Sequence, residues 1–235
     1  MATRAGSIAI AALALGIGLS ACGSGKTSGD ATTSSSPSPS ETAKASESSS
    51  AAPTTSAQAA GPVTTIPDYV KQNNIVESPV KRGDSGAPTI DLPFPQGWED
   101  MGANTPEGAY GGIVFTADPA MAENPPTVVA IVSKLTGNVD PAKILEYAPN
   151  ELRTMPGFQG PEAGKPSKLS GFEATQIGGT YVKDGVTHLV AQKTVVIPGQ
   201  DALYVLQLNA EGTEDQATPL MDATAEIDDK AKITT

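Results

Sequence analysis

Forty consecutive residues of this 235-residue chain, Gly23 to Pro62, contain no Val, Ile, Leu, Met or aromatic side chain, and 34 of them are Ser, Thr, Ala, Pro or Gly. Such a segment has no apolar surface to offset the conformational entropy that folding removes, so it reads as a disordered tether. Any fold is thereby confined to the residues that follow it. As a flexible coil the tether would span roughly 35 Å end to end, and stretched by its prolines about 120 Å. Its Ser, Thr and Pro content fits an O-glycosylated stalk and an unmodified spacer equally well.

What precedes the tether carries the only cysteine of the chain, in "LSACGSG". A solitary cysteine forms no internal disulfide, so the fold depends on its core and its hydrogen bonds. Residues 1–22 place one cation, Arg4, before an uninterrupted apolar and small-residue stretch from Ile8 to Leu19, and then more small residues. This is the order of a secretory signal, too short for a comfortable membrane span of about 20 apolar residues. Leu19, Ser20, Ala21 and Cys22 resemble the bacterial lipobox. That resemblance implies cleavage between Ala21 and Cys22 and acylation of the Cys22 thiol. Each buried methylene contributes about 0.8 kcal/mol, so two or three acyl chains hold a protein stably at a membrane. The competing readings are a plain signal with an accidental cysteine, or an apolar terminus that stays in the cytosol. The expected organisation is therefore a lipoprotein signal peptide over 1–21, a lipidated tether over 22–62 and one globular domain over 63–235, a length that suits a single sizeable core.

With 15 Lys plus Arg against 26 Asp plus Glu, the chain has a net charge of -11. Nucleic acid, whose phosphates demand clustered cations, is excluded as a partner, and anionic headgroups are unattractive for the same reason. The tether holds only Lys26, Lys44, Asp30, Glu41 and Glu47, so the acidity belongs to the domain.

Within the domain, Ile66, Tyr69 and Val70 are spaced as on a helix. Ile90, Leu92 and Phe94 alternate as in a strand that Pro93 restricts to an edge or a bulge. "GGIVFTA" and "PTVVAIVSKL" read as strands. Asp140 as N-cap and Pro141 at the first helical position open a helix striped by Ile144, Leu145 and Ala148, which Pro149 either kinks or restarts through Leu152. "FEATQIGGTYV", "VTHLVAQKTVVIP" and "ALYVLQLNA" read as three consecutive strands. Asp184-Gly185 turns the first pair and Pro198 to Asp201 the second. A closing helix near Glu214 to Asp229 would carry Ala217, Leu220, Met221, Thr224 and Ile227 on one side. Thr213 with Gln216 resembles a capping box, in tension with Pro219 inside the helix. The order implies an α+β fold with a mainly antiparallel sheet of about six strands flanked by helices.

Catalytic and metal-binding signatures are missing. His188, the only histidine, sits in strand alternation without a "GxSxG" elbow, and zinc sites of the usual type need more His or Cys. Glu226, Asp228 and Asp229 lack the spaced ligands and glycine of a calcium loop and read as a solvated helix end. The paired glycines of "YGGIVF" and "QIGGTY" match no phosphate-binding motif and read as bulges or close strand contacts. Trp98, after a Pro-Gln-Gly turn, is the one candidate ligand-pocket residue, with core packing as the heavier alternative. No catalytic residue, metal or cofactor is expected.

The lipobox, the stalk and then "APTIDLPFPQGW", "YGGIVFTADP", "PPTVVAIVSKLTGNVDPAKIL", "MPGFQG", "AQKTVVIP" and "VLQLNA" resemble the LpqN/LpqT family of mycobacterial lipoproteins, over essentially the whole of residues 63–235. "TVVIP" and "SKLTG" are closer to its LpqN branch. The resemblance implies a Mog1/PsbP-like α+β fold, an anchored position on the periplasmic or cell-wall side of the membrane, and a family with no established enzymatic activity and no catalytic set to carry over. It transfers only Cys22 and the cleavage site after Ala21. It also suggests involvement with envelope lipids, as an accessory to export of trehalose mycolates. The expected function is a non-enzymatic module for envelope glycolipid transport or biogenesis. Its candidate partners are the membrane through Cys22, a glycolipid, and a membrane transporter or other protein. A surface interaction protein that engages a partner, a host factor included, is the runner-up, and a hydrolase of cell-wall esters or glycosides comes last.

Overall fold

The computed structural model describes residues 63–235. The signal peptide, Ala21, Cys22 and the tether lie outside the described residues. The domain opens with α1 (Ile66–Gln72), fixed by a reciprocal cap: Asp68 N–H donates to the Thr65 hydroxyl, and Asp68 Oδ2 accepts from Thr65 N–H at 3.0 Å. Pro67 stands in its first turn, where no backbone donor is needed. Then come β1 (Val76–Pro79), β2 (Thr89–Asp91), β3 (Trp98–Asp100), β4 (Gly111–Phe115) and β5 (Thr127–Thr136). Asp140 caps α2 (Pro141–Tyr147) through Ala142 N–H, as its sequence predicts. Pro149 starts a separate short helix, α3 (Pro149–Arg153), which settles the choice between kink and restart. The second half runs β6 (Lys165–Leu169), β7 (Phe172–Lys183), β8 (Val186–Pro198), β9 (Leu203–Thr213), α4 (Ala217–Lys230) and β10 (Lys232–Thr234).

The main sheet is antiparallel, in the order β3-β4-β5-β9-β8-β7-β6, with β1 pairing β5 beyond the end of β4. The mixed α+β class is as expected, but there are ten strands where the sequence shows about six. The additional ones, β1, β3, β6 and β10, are three to five residues long, too short for an alternating pattern to register. The strand expected over Ile90, Leu92 and Phe94 is corrected too. It lies off the main sheet, pairs with β10, and ends at Asp91, so that Ile90 and Leu92 are buried while Phe94, beyond Pro93, is 54% exposed. The β7–β8 hairpin turns through Asp184 and Gly185, both at positive φ, a geometry matched to strand twist.

Alternate residues of each central strand face opposite layers. On one face, α4 and the β2–β10 ribbon cover Val128, Ala130, Val132, Val195, Ile197, Leu206 and Leu208. On the other, α1 and α2 pack Ile66, Val70, Ile144 and Ala148 against Leu135, Val196, Leu203 and Val205. A smaller cluster joins Leu152 of α3 to Ile177 and Val190. Helix α4 buries Leu220, Ala223 and Ile227, whereas Met221, assigned to that stripe from sequence, points to solvent. Thr213 and Gln216 form the expected capping box around a tight turn, so Pro219 falls in the first turn of α4, where its missing N–H costs nothing.

Candidate functional site

A cavity of about 520 Å³ lies between α4 and the outer strands of the sheet. Its floor follows from register. Gly178, Ala191, Ala210 and Val128 stand side by side across β7, β8, β9 and β5, a row in which three of four side chains are a hydrogen or a methyl. The next row is Lys165, Gln176, Lys193 and Leu208 across β6 to β9. The small row cannot reach the helix above it, and the gap is left as space rather than filled as core. Helix α4 roofs it with Thr224, Ile227 and Asp228, and Pro161 and Ala163 close one side.

One charged pair stands in this apolar surround. Lys193 Nζ donates to Asp228 Oδ1 at 2.5 Å, with the Lys193 side chain 9% exposed and Asp228 at the rim. A buried ammonium is tolerated only with such a partner. The cavity therefore pairs a row of small and apolar side chains with polar groups beside it, the Lys193–Asp228 ion pair, Lys165 and Gln176, a composition suited to an amphiphile. The lining includes no Ser, Cys or His. Asp228, read from sequence as a solvated helix end, is thus the partner of a buried cation, while Glu226 pairs with Lys230 on the surface. Among the described residues no group of three or more His, Cys, Asp or Glu converges as a metal site.

Trp98 does not line this cavity. It is buried at the start of β3, its ring 5.7 Å from that of Phe115, with Gly97 at positive φ completing the turn that precedes it. The structure places it in the core, which corrects its candidacy as a pocket residue. His188 lies on the opposite face of the sheet, stacked on Tyr181 at 5.2 Å, with Nδ1 3.5 Å from Glu211 Oε1. Tyr181 donates its hydroxyl to that same oxygen at 2.5 Å, and burial, reinforced by this carboxylate, pushes the phenol well above its ordinary range. The glycine pair of "QIGGTY" does mark a close contact: Phe158 and Gln159 cross directly over Gly179, and Gln159 bridges to Thr180 through N–H···O bonds of 2.7 and 2.8 Å.

Lys193 was not legible as a site residue, because a lysine in a β-branched run carries no signal of burial. Glu151, in the short helix α3, carries no such signal either, because a glutamate in "PNELR" reads as an ordinary surface helix residue. It is half-buried and accepts from Gln207 Nε2 at 2.8 Å and Gln192 Nε2 at 3.2 Å. Burial raises its carboxyl above the ordinary value, against the lowering effect of those two amides.

Fold and site together define an α+β domain on one antiparallel sheet, with an apolar cavity under its last helix. The chain belongs to the LpqN lipoprotein family: the family model described as probable lipoprotein LpqN matches residues 62–234. Lipoprotein LpqN of Mycobacterium tuberculosis is 54% identical over 177 residues, covering 75% of this chain and 77% of that protein. A crystal structure, of LpqN involved in cell envelope biogenesis of Mycobacterium tuberculosis, is similar with a TM-score of 0.69 at 53% identity, over 74% of this chain and all of the solved one. A proline-rich 28 kDa antigen homolog of Mycobacterium leprae is 25% identical over 72% of this chain and 60% of its own length. No helix of the described residues is long and apolar enough to cross a membrane.

Proposed function

We propose that the protein is a non-enzymatic accessory of envelope glycolipid transport or biogenesis, and that the cavity under α4 holds the acyl part of a mycolate-type glycolipid. The observation that carries this reading is the cavity itself: about 520 Å³ over a floor of small and apolar side chains, with Lys193 and Asp228 placed to meet a polar end. That volume lies within the roughly 300–1,000 Å³ of small-molecule sites. The relative associated with cell envelope biogenesis supports the same setting. In this reading cleavage after Ala21 and acylation of Cys22 anchor the chain on the outer side of the cell membrane. The tether over 22–62 lets residues 63–235 range over neighbouring lipid and protein partners at raised effective concentration.

The test is native mass spectrometry with lipid extraction on the protein purified from a mycolate-producing host. A stoichiometric bound glycolipid is the expected result. A domain free of lipid at every expression level would shift the function to protein partners.

A further inference from the structure

The charged groups of the cavity under α4 do not balance. Across β6, β7 and β8 the register sets Lys165, Gln176 and Lys193 side by side, with Lys193 buried and Lys165 exposed on the outermost strand. Against these two cations the lining holds one anion, Asp228, which Lys193 already engages. Among the described residues Lys165 is in no ion pair. The site thus carries one surplus positive charge, in a chain whose net charge is -11.

That surplus sits beside the place an alkyl chain would occupy. The small row of Gly178, Ala191 and Ala210 lies two residues along each strand from the lysine row, roughly 7 Å away. An ester, an alcohol or an uncharged sugar at the end of such a chain leaves the surplus charge unanswered and takes water from it. A carboxylate is acceptor-only and carries one negative charge. Its two oxygens match the donors of Lys165, Gln176 and Lys193, whose ammonium has three N–H groups and commits one to Asp228.

We propose that this cavity selects a long-chain free carboxylic acid over the corresponding ester, with Lys165 as the selecting residue and Lys193 as its buried support. The inference rests on the reading of the cavity as an acyl site and names the end of the chain that it recognises. An esterified lipid is still held by its acyl part, and the free acid is held more tightly. The reaction class that supplies such a ligand is hydrolysis of an acyl ester, in which water splits the ester into this acid and an alcohol.

The experiment is native mass spectrometry of the full chain, sprayed from a non-ionic detergent that is stripped in the gas phase. Hexadecanoic acid and methyl hexadecanoate are added at equal concentration, at a pH where the acid is ionised. The two adducts differ in mass, so one spectrum reads their ratio, and partition into detergent is the same for wild type and variants. The acid adduct is expected to predominate. Lys165→Gln, at an exposed position, should lower the acid-to-ester ratio about threefold. Ala191→Leu, which fills the small row, should remove both adducts, and Ala191→Val takes its place if that variant fails to fold. A ratio unchanged in Lys165→Gln, or a predominant ester in the wild type, overturns the selectivity and leaves the acyl reading standing. Adducts that persist when the row is filled, or no adduct of either kind, overturn the acyl reading and this proposal with it.

Discussion

Glu151 shows how one residue can work against the fold that holds it. Burial disfavours its charge more than the Gln192 and Gln207 amides favour it, so its folded pKa lies above the ordinary 4.5. The folded state thus binds the Glu151 proton more tightly than the unfolded chain does. Its contribution to stability is fully present below the unfolded value and is lost as pH rises through the raised folded one. Urea unfolding of the wild type and of Glu151→Gln across this range should show the wild type losing stability relative to the variant as pH increases from 4.5. A difference that stays flat or grows in favour of the wild type would sink this account. Lys193 is the contrasting case, a buried charge whose partner Asp228 is supplied by another element.

At the scale of elements, the cavity is a product of registered pairing. Gly178, Ala191 and Ala210 are ordinary small residues in three separate strands, and only antiparallel register sets them in one row under α4. Ala191→Leu places a branched side chain into that row, filling space rather than displacing packed atoms. The variant should retain its cooperative melting with a midpoint unchanged or raised, and should lose most of any lipid that co-purifies with the wild type. Retained lipid at the wild-type stoichiometry would place the ligand elsewhere. A comparable large-for-small change in well-packed core would instead destabilise by about 1–3 kcal/mol. Helix α4 shows how far sequence reaches at this scale. Its apolar spacing identified Leu220 and Ile227, but Ala223, not Met221, completes the buried stripe, because the direction of the helix axis over the sheet decides which neighbour of Leu220 faces inward.

For the whole molecule, the expected arrangement is an anchor, a spacer and a working domain whose net acidity keeps it off anionic surfaces. Deleting Gly23 to Pro62 while keeping Cys22 should leave the domain folded and the protein membrane-bound. Its envelope function, scored by complementation of a strain lacking the gene, should then be impaired. Full complementation by that variant would remove the spacer from the mechanism.

The sequence by itself determined what local chemistry dictates. The Asp140-Pro141 helix start, the Asp184-Gly185 turn and the three long strands each depend on residues within a few positions of one another. The family was legible in the same way, as contiguous stretches of side chains. Only the tertiary structure decided the pairing of β2 with β10, the burial of Trp98, the ion pair between Lys193 and Asp228, and the meeting of Glu151 with Gln192, Gln207 and Glu77. Each of these joins residues from 17 to 145 positions apart in the chain in no fixed pattern, so the energy that selects them comes from packing and desolvation across the whole sheet, which no local spacing encodes.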